Sequence, residues 1–209
     1  MRKVFFTLFC CLTLHNVNAL DLKKYLKEKN SFSRSNLEYL EQGRVIVKSE
    51  VQTIKAEGEE QKKQKLTLYL AGLHSEKCET SIEKLKEYEK FSEYITFITK
   101  STYDESNKHI AMNLNGSPFV PIDFTLEVTI DRLSTPKTYP YIMGAGLFQG
   151  LKGDLDIVQA PENRCLYYVT GDYLGQSTGM PDFVVETLAN GIGKKGLERL
   201  FKISGHQEK

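Results

Sequence analysis

The sequence has no tryptophan, only four cysteines and only six prolines among its 209 residues. It also lacks an excess of either charge, since its formal net charge at pH 7 is +1. A protein that binds nucleic acid by neutralising phosphates needs a concentrated basic excess, so this balance argues against that function. The hydrophobic fraction of 40% and the charged fraction of 26% are typical of one globular domain, and they exclude a disordered or collagen-like chain.

Long apolar runs are absent outside the N-terminus, where residues 1–19 predict a secretory signal peptide. Arg2 and Lys3 form a basic start, residues 4–14 an apolar run, and residues 17–19 (VNA) a cleavage site with a small residue at its end. The run is shorter than the roughly 20 apolar residues of a membrane-spanning helix. We therefore expect export to the periplasm or the exterior, with no stable membrane insertion after cleavage.

Signal cleavage would remove two of the four cysteines. Cys10 and Cys11 lie in the middle of the apolar run without a small residue before them, which argues against a lipoprotein signal. Cys78 and Cys165 remain, in a chain of 26 basic and 27 acidic residues. In an oxidising compartment these two can form a disulfide. The alternative is one buried and one exposed thiol, and the sequence leaves both open.

The composition predicts one domain with short additions at its ends. After the signal peptide we expect a helical extension over residues 20–42, a domain over residues 43–204 and a tail over residues 205–209. All six prolines lie within residues 118–181, and eleven of the fifteen glycines lie from Gly144 onward. This shift indicates a change of secondary structure within a single domain.

Hydrophobic periodicity predicts the order helix, two strands, short helices, four or five strands and a long C-terminal helix. The clearest strand pattern is the alternation of Phe124–Ile130, and a helical pattern runs over residues 181–203. Thr80 and Glu83 have the spacing of a capping box, which predicts the start of a short helix. Mostly consecutive strands favour an antiparallel sheet, so the predicted fold class is α+β.

Four segments carry a family resemblance. Residues 40–47 (LEQGRVIV) place a glycine before the first strand, and residues 86–95 (KEYEKFSEYI) join a short helix to the next strand. Residues 163–169 (NRCLYYV) stand among the last strands, and residues 180–183 (MPDF) introduce the long helix with a proline. In this order they resemble the START-like superfamily (SRPBCC), which includes Bet v 1-like, polyketide-cyclase and lipid-transport proteins, over roughly residues 40–204.

The sequence departs from the family pattern in two places. It lacks the tryptophan of the first short helix, where Ile82 or Leu85 takes that role, and it has residues 72–75 (GLHS) where an Ala-Pro pair is usual. The resemblance implies a helix-grip fold, in which a curved antiparallel sheet holds the long C-terminal helix. It also implies an apolar cavity between the sheet and the helix.

The resemblance implies that inward-facing apolar side chains line this cavity. We expect the lining to be Met112, Phe124, Leu126, Val128, Tyr139, Tyr141, Phe148, Tyr167, Val184, Leu188 and Ile192. The tyrosines either offer hydroxyls that orient a ligand or are core residues. Gly191, Gly193 and Gly196 each cost a helix about 1 kcal/mol relative to alanine. They indicate room for a ligand, a helix break or close packing on the sheet.

No catalytic or metal-binding motif is visible in the sequence. His74, His109 and His206 stand far apart and are expected to be ordinary surface histidines. There is no nucleophile elbow, phosphate-binding loop or dinucleotide motif. Asp154 and Asp156 share a face of a predicted strand, which fits an outward polar edge better than a carboxylate pair. We predict no catalytic residue, no metal site and no cofactor.

The sequence thus favours an exported, non-catalytic carrier of a hydrophobic, lipid-like ligand. Two alternatives remain: a cyclase- or hydrolase-like enzyme that uses cavity tyrosines or carboxylates, and a structural or interaction protein without a cavity. A protein partner cannot be named from the sequence.

Overall fold

The computed structural model of the protein describes residues 21–29, 32–55, 62–116, 123–146 and 148–205. The predicted signal peptide and His206 lie outside the described residues. The helices are α1 (Leu22–Glu28), α2 (Arg34–Glu41), α3 (Cys78–Leu85), α4 (Phe91–Tyr94) and α5 (Asp182–Ser204). The strands are β1 (Ile46–Ile54), β2 (Lys63–His74), β3 (Ile98–Asp104), β4 (His109–Leu114), β5 (Phe124–Ile130), β6 (Thr138–Ala145), β7 (Lys152–Gln159) and β8 (Cys165–Gln176).

The eight strands form one antiparallel sheet in the order β1-β2-β8-β7-β6-β5-β4-β3. Strands β1 and β3 are its two edges, so the sheet curves without closing. The long pairing of β2 with β8 runs from His74 opposite Cys165 to Lys63 opposite Gln176. With the long helix α5, this arrangement is the helix-grip α+β fold, and it confirms the predicted fold class.

Helix α5 lies over β1 and β2 and packs against α3. Its N-terminus is fixed by the carboxylate of Asp182, which accepts hydrogen bonds from the backbone N–H of Thr53 at 2.9 Å and from its hydroxyl at 2.6 Å. The side-chain amide of Gln64 donates to the same carboxylate at 3.0 Å. These bonds lower the pKa of Asp182 below its ordinary value, chiefly through the Thr53 hydroxyl.

The C-terminal end of α5 is fixed by a close approach to β2. A Cβ at Gly72 would lie 2.6 Å from the ring of Phe201, so only glycine leaves room for this ring. Midway along the helix, a Cβ at Gly193 would lie 2.9 Å from Leu70, whereas Gly191 and Gly196 have nothing within 4 Å. The helix is continuous through all three glycines, and only Gly193 serves close packing on the sheet.

Helices α1 and α2 cover the outer face of the sheet. Their apolar side chains form a buried cluster with residues of β1, β2, β8 and the connection from β7 to β8; its members are Leu22, Leu26, Leu37, Leu40, Ile46, Ala71, Leu73, Ala160, Leu166 and Tyr168. The predicted helical extension is therefore a layer of the fold, which lies on the side opposite α5.

Asp156 anchors this outer layer. Its carboxylate accepts hydrogen bonds from the hydroxyl of Tyr25 at 2.7 Å, the ammonium of Lys29 at 2.7 Å and the hydroxyl of Thr138 at 2.6 Å. Burial would raise the pKa of Asp156, but these three donors outweigh it and lower the pKa. Asp156 does face outward with Asp154, as expected, but it is buried beneath α1.

Two local expectations are wrong. Helix α3 begins at Cys78, with Lys77 at its N-cap and no capping hydrogen bond from a side chain, so Thr80 and Glu83 do not form the expected capping box. Residues 148–151 were expected to belong to a strand but form a turn before β7. In both places the local sequence has the pattern of the expected feature, a capping box or a strand, but the folded protein does not form it.

Candidate functional site

One half of the concave face is filled by the protein's own side chains. Tyr139 and Tyr167 are 0% and 2% exposed, and the ring of Phe201 lies 5.4 Å from that of Tyr167. Side chains from α3, α4 and the flanking strands complete this packed core. The part of the expected cavity that lies around the two tyrosines is therefore occupied.

The hydroxyls of these tyrosines bond to the protein itself. The hydroxyl of Tyr139 donates to the carbonyl oxygen of Thr135 at 2.7 Å and accepts the N–H of Ser134 at 2.8 Å. The hydroxyl of Tyr167 lies 2.5 Å from that of Ser81. Burial raises the pKa of Tyr167 to about 12, although the Ser81 hydrogen bond opposes it. Burial opposes the shift at Tyr139, but hydrogen bonds from Ser134 and Thr135 lower the pKa of this tyrosine.

Tyr141 lies at the boundary of the packed half. Its hydroxyl donates to the carbonyl oxygen of Thr170 at 2.9 Å, and Gly171 leaves room for it, since a Cβ there would lie 2.9 Å from the hydroxyl oxygen. Met112 and Phe148 are also buried, at 8% and 7% exposure. Met112, Tyr139, Phe148 and Tyr167, which were expected to line the cavity, are buried in the core clusters.

The other half of the concave face keeps apolar side chains partly accessible. We call this region the apolar groove; its wall on strands β4–β6 consists of Leu114, Phe124, Leu126, Val128 and Met143, and its wall on α5 consists of Val184, Leu188 and Ile192. The strand residues alternate with neighbours on the opposite face, as Thr125 alternates with Leu126. The predicted lining residues thus differ in exposure: the buried ones are Met112, Tyr139, Phe148 and Tyr167, and the partly accessible ones are Phe124, Leu126, Val128, Tyr141, Val184, Leu188 and Ile192.

The orientation of α5 follows from its contacts. Asn190 accepts a hydrogen bond from Ser49 of the edge strand β1 at 3.0 Å, so that flank of the helix faces β1. The buried side chains Val185 and Ala189 face the sheet. Successive residues of an α-helix are rotated by about 100° around its axis. Leu188 therefore lies, with Val184 and Ile192, on the flank of α5 opposite Asn190. That flank faces the half of the sheet that α5 does not cover.

The two remaining cysteines form a disulfide. Cys78 at the start of α3 and Cys165 at the start of β8 are both fully buried, with a Cα–Cα distance of 4.7 Å. The backbone N–H of Cys78 also donates to the side chain of Gln159, which lies opposite Cys165 on β7. The bond therefore ties α3 to the packed end of the sheet.

His74 is not a surface residue, in contrast to the expectation. It is 2% exposed at the end of β2, next to the disulfide. Its Nδ1 accepts the backbone N–H of Glu76 at 3.0 Å, so the proton resides on Nε2, which lies 2.9 Å from the hydroxyl of Ser204. Burial lowers the pKa of His74 below 6.5. Its role is to hold the last turn of α5, whereas His109 is half-buried beside Glu127.

Among the described residues, no group of three or more His, Cys, Asp or Glu side chains is placed to hold a metal ion. No helix within the same residues has the length and apolar character needed to cross a membrane.

Surface hollows also lie outside the apolar groove, among them three with volumes of about 350, 560 and 810 Å³. The first lies beside Asp156, the second on the outer face around Ile142, and the third along the free edge of β1 between α2 and α5. Their walls mix charged, polar and apolar side chains, unlike the groove.

Comparison with known proteins identifies the fold. No protein-family model matches the sequence, and no curated protein is significantly similar to it. The Zhui aromatase/cyclase from Streptomyces sp. R1128 matches with a TM-score of 0.53 at 10% identity, over 67% of this chain and 93% of that one. An uncharacterised protein from Bacillus thuringiensis matches with a TM-score of 0.50 at 14% identity, over 65% of this chain and 96% of that one. A conserved protein from Geobacillus kaustophilus also gives 0.50, at 12% identity, over 66% and 91% of the two chains.

At these identities the likeness shows the fold alone. The chain shares the helix-grip fold of these structures, which is the fold that the sequence resemblance implied. The neighbours do not transfer a substrate or an activity to it.

Sequence reasoning missed Leu114 and Met143 in the groove wall. Both continue alternating patterns, Leu114 after Ile110 and Met112 on β4, and Met143 after Tyr141 on β6. The alternation could have found them, but it could not distinguish the accessible end of each strand from the buried end.

Proposed function

We propose that this protein is an exported carrier that holds a hydrophobic, lipid-like molecule in the apolar groove. The observation that supports it is the set of apolar side chains, from β4–β6 and α5, that stay partly accessible on the concave face. Burying apolar ligand surface contributes about 25 cal/mol per Å². A groove with no charged side chain among its named wall residues therefore favours an apolar ligand over a polar one.

Binding can be tested with the mature protein and the apolar dye N-phenyl-1-naphthylamine. We expect the dye to fluoresce on binding and to be displaced by lipid extracts, and native mass spectrometry to detect a co-purifying lipid. Leu188→Asp should abolish dye binding, because it places a charge in the groove. Phe183→Asp is the matched control, since Phe183 is on the same helix but 70% exposed. Equal binding by both variants, or no binding by the wild type, would contradict the proposal.

Export is the second part of the proposal. The layout of residues 1–19 supports it, and so does the disulfide, because such bonds persist in oxidising compartments. Mass spectrometry of the protein produced with its complete N-terminus should find a mature chain that begins at Leu20, outside the cytoplasm. A full-length chain that stays in the cytoplasm with free thiols would contradict export.

The alternative of a cyclase- or hydrolase-like enzyme requires polar groups that converge on the ligand. Tyr139, Tyr141 and Tyr167 each bond to another protein group, as described above. These contacts support a carrier without catalysis.

A further inference from the structure

The third hollow lies along the edge strand β1, and we call it the edge hollow. Its walls come from α2, the turn after α2, the start of β1 and the middle of α5. Asn190 belongs to these walls, so the edge hollow lies on the flank of α5 opposite the apolar groove. Its volume of about 810 Å³ is within the range of about 300–1,000 Å³ that is usual for small-molecule sites.

Two cations line the edge hollow, Arg44 from the turn after α2 and Lys194 from α5. Gly43, with a φ of +73°, lets the chain turn, and the backbone N–H of Arg44 donates to the carbonyl oxygen of Tyr39 at 3.0 Å. The guanidinium of Arg44 lies 5.2 Å from the centre of the Tyr39 ring. Within the described residues, neither Arg44 nor Lys194 forms a salt bridge. Their charges are therefore available to a ligand.

Two side-chain amides add uncharged donors to the same hollow. The oxygen of Asn36 accepts the backbone N–H of Ser33 at 2.9 Å, and that of Asn190 accepts the hydroxyl of Ser49 at 3.0 Å. Neither amide nitrogen donates a hydrogen bond to any part of the chain that the structure describes. Each amide therefore keeps its two N–H donors for another partner.

The edge hollow offers little that would attract a cation. Glu198 is the one acid among the described residues that line it, and its carboxylate lies 3.3 Å from the ammonium of Lys195. Charged and amide donors therefore outnumber the carboxylate acceptors. An oxyanion satisfies such a set, because hydrogen bonds from cations to phosphate or carboxylate oxygens are stronger than those between neutral groups.

Gly191 keeps the α5 wall of the edge hollow open. A Cβ at this position would meet nothing within 4 Å, and the helix is continuous through it. Glycine is unfavourable inside a helix, and close packing, which accounts for Gly193, does not account for Gly191. A larger side chain at position 191 would extend into the space that a ligand would occupy.

From these observations we propose that the edge hollow binds an oxyanion, the phosphate or carboxylate group of a small ligand. Arg44 and Lys194 supply the charge, and Asn36 and Asn190 supply further N–H donors. The site is separate from the apolar groove, and it does not depend on the carrier function.

Phenyl phosphate is the probe, and phenol is its uncharged counterpart. Each is titrated into the ¹⁵N-labelled mature protein and followed by nuclear magnetic resonance. We expect phenyl phosphate, but not phenol, to shift the backbone amide signals of Gly43, Val47 and Gly191. Weaker binding at higher salt concentration is expected as well, because the hollow is open to solvent. No shift at these amides would overturn the proposal.

Charge variants should change the affinity for phenyl phosphate in opposite directions. Arg44→Gln and Lys194→Gln should each weaken binding by about threefold to tenfold, and Glu198→Gln should tighten it by about twofold. Lys202→Gln is the matched control, since Lys202 is an exposed cation on the same helix outside the hollow. A loss in Lys202→Gln equal to that in Arg44→Gln would show unspecific attraction and overturn the site.

A steric variant tests the same place without changing charge. Gly191→Leu should prevent binding of phenyl phosphate, whereas Gly196→Leu should not, because Gly196 also has open space around its Cβ position but does not line the hollow. Thermal unfolding verifies that both variants are folded. Unchanged binding in folded Gly191→Leu would overturn the site.

Two further probes distinguish the source of the oxyanion. Inorganic phosphate represents a free ligand, and phosphatidylcholine vesicles with or without phosphatidic acid represent a lipid head group. Binding to phosphatidic acid vesicles that is lost in Arg44→Gln supports the site and assigns it to a head group. Binding of phenyl phosphate and inorganic phosphate, without binding to vesicles, supports the site and assigns it to a free ligand.

Discussion

Phe201 occupies the space that Gly72 leaves open on β2, since a Cβ at position 72 would lie 2.6 Å from Cε2 of the ring. The ring also lies 5.1 Å from that of His74, at an angle of 89°. The C-terminal half of α5 therefore packs against the sheet through the ring of Phe201, which fills the space left by the absence of a side chain at Gly72. This packing closes one half of the concave face and leaves the groove in the other.

We expect Gly72→Ala to lower the free energy of unfolding by about 1–3 kcal/mol, because an added methyl group forces Phe201 and Leu197 out of their packed positions. Urea unfolding followed by circular dichroism measures the loss. The double variant Gly72→Ala/Phe201→Leu should lose less stability than the sum of the two single changes. Strict additivity would show that the two positions do not interact.

The helix glycines should respond differently to alanine. Gly196→Ala should raise the free energy of unfolding by about 0.5–1 kcal/mol, because a Cβ there meets nothing within 4 Å and alanine favours the helix. Gly193→Ala should give no gain, since its Cβ would lie 2.9 Å from Leu70. Thermal unfolding of the two variants beside the wild type tests this. A gain for Gly193→Ala as large as that for Gly196→Ala would contradict close packing at Leu70.

His74 should make stability depend on pH. Its pKa is lowered by burial in the folded state, so below about pH 6.5 the unfolded chain binds a proton that the folded chain does not. The free energy of unfolding should therefore fall as the pH drops from 6.5 through the folded pKa. Denaturant unfolding between pH 7.5 and 5 measures this slope.

His74→Gln should flatten the slope between pH 7.5 and 5, although it is expected to lower stability at neutral pH. His109→Gln is the control, since His109 is only half-buried. A slope that persists in His74→Gln would contradict the assignment of this pH dependence to His74.

Asp156→Asn should loosen the outer layer. The substitution keeps the shape of the side chain but removes the charge that Lys29 and Tyr25 bind, and we expect a loss of about 1–3 kcal/mol in the stability of the docked α1. Limited trypsin digestion should then cut sooner at Lys27 or Lys29. Asp154→Asn is the matched control, because Asp154 lies on the same strand face and is exposed. Equal rates of trypsin cleavage in Asp156→Asn and Asp154→Asn would contradict the role of Asp156 in holding α1 on the sheet.

Local patterns predicted the elements of the fold well. The alternation over Phe124–Ile130 coincides with β5, and the helical pattern over residues 181–203 differs from α5 by one residue at each end. Hydrophobic periodicity alone predicts both of these elements, because one face of each packs against the interior of the protein. The alternation along β7 likewise predicted that the side chain of Asp156 faces outward.

Long-range packing could not be predicted in this way. The burial of His74 depends on Ser204, which is 130 positions away, and the filling around Tyr167 depends on Phe201. The placement of α1 on the outer face depends on Asp156, 131 positions from Tyr25. Amphipathic spacing identifies which side of an element is apolar, but it does not identify the element that covers it.

The Cys78–Cys165 bond spans 87 positions, and every strand from β3 to β7 lies between its two ends. The whole strand wall of the groove thus belongs to one covalent ring, while α5 lies beyond it. In the chain-entropy model, closing a ring of about 90 residues stabilises the fold by roughly 4–5 kcal/mol. Oxidation therefore acts on the strands that form the wall of the groove, and the stability of this wall is coupled to the redox environment in which the protein folds.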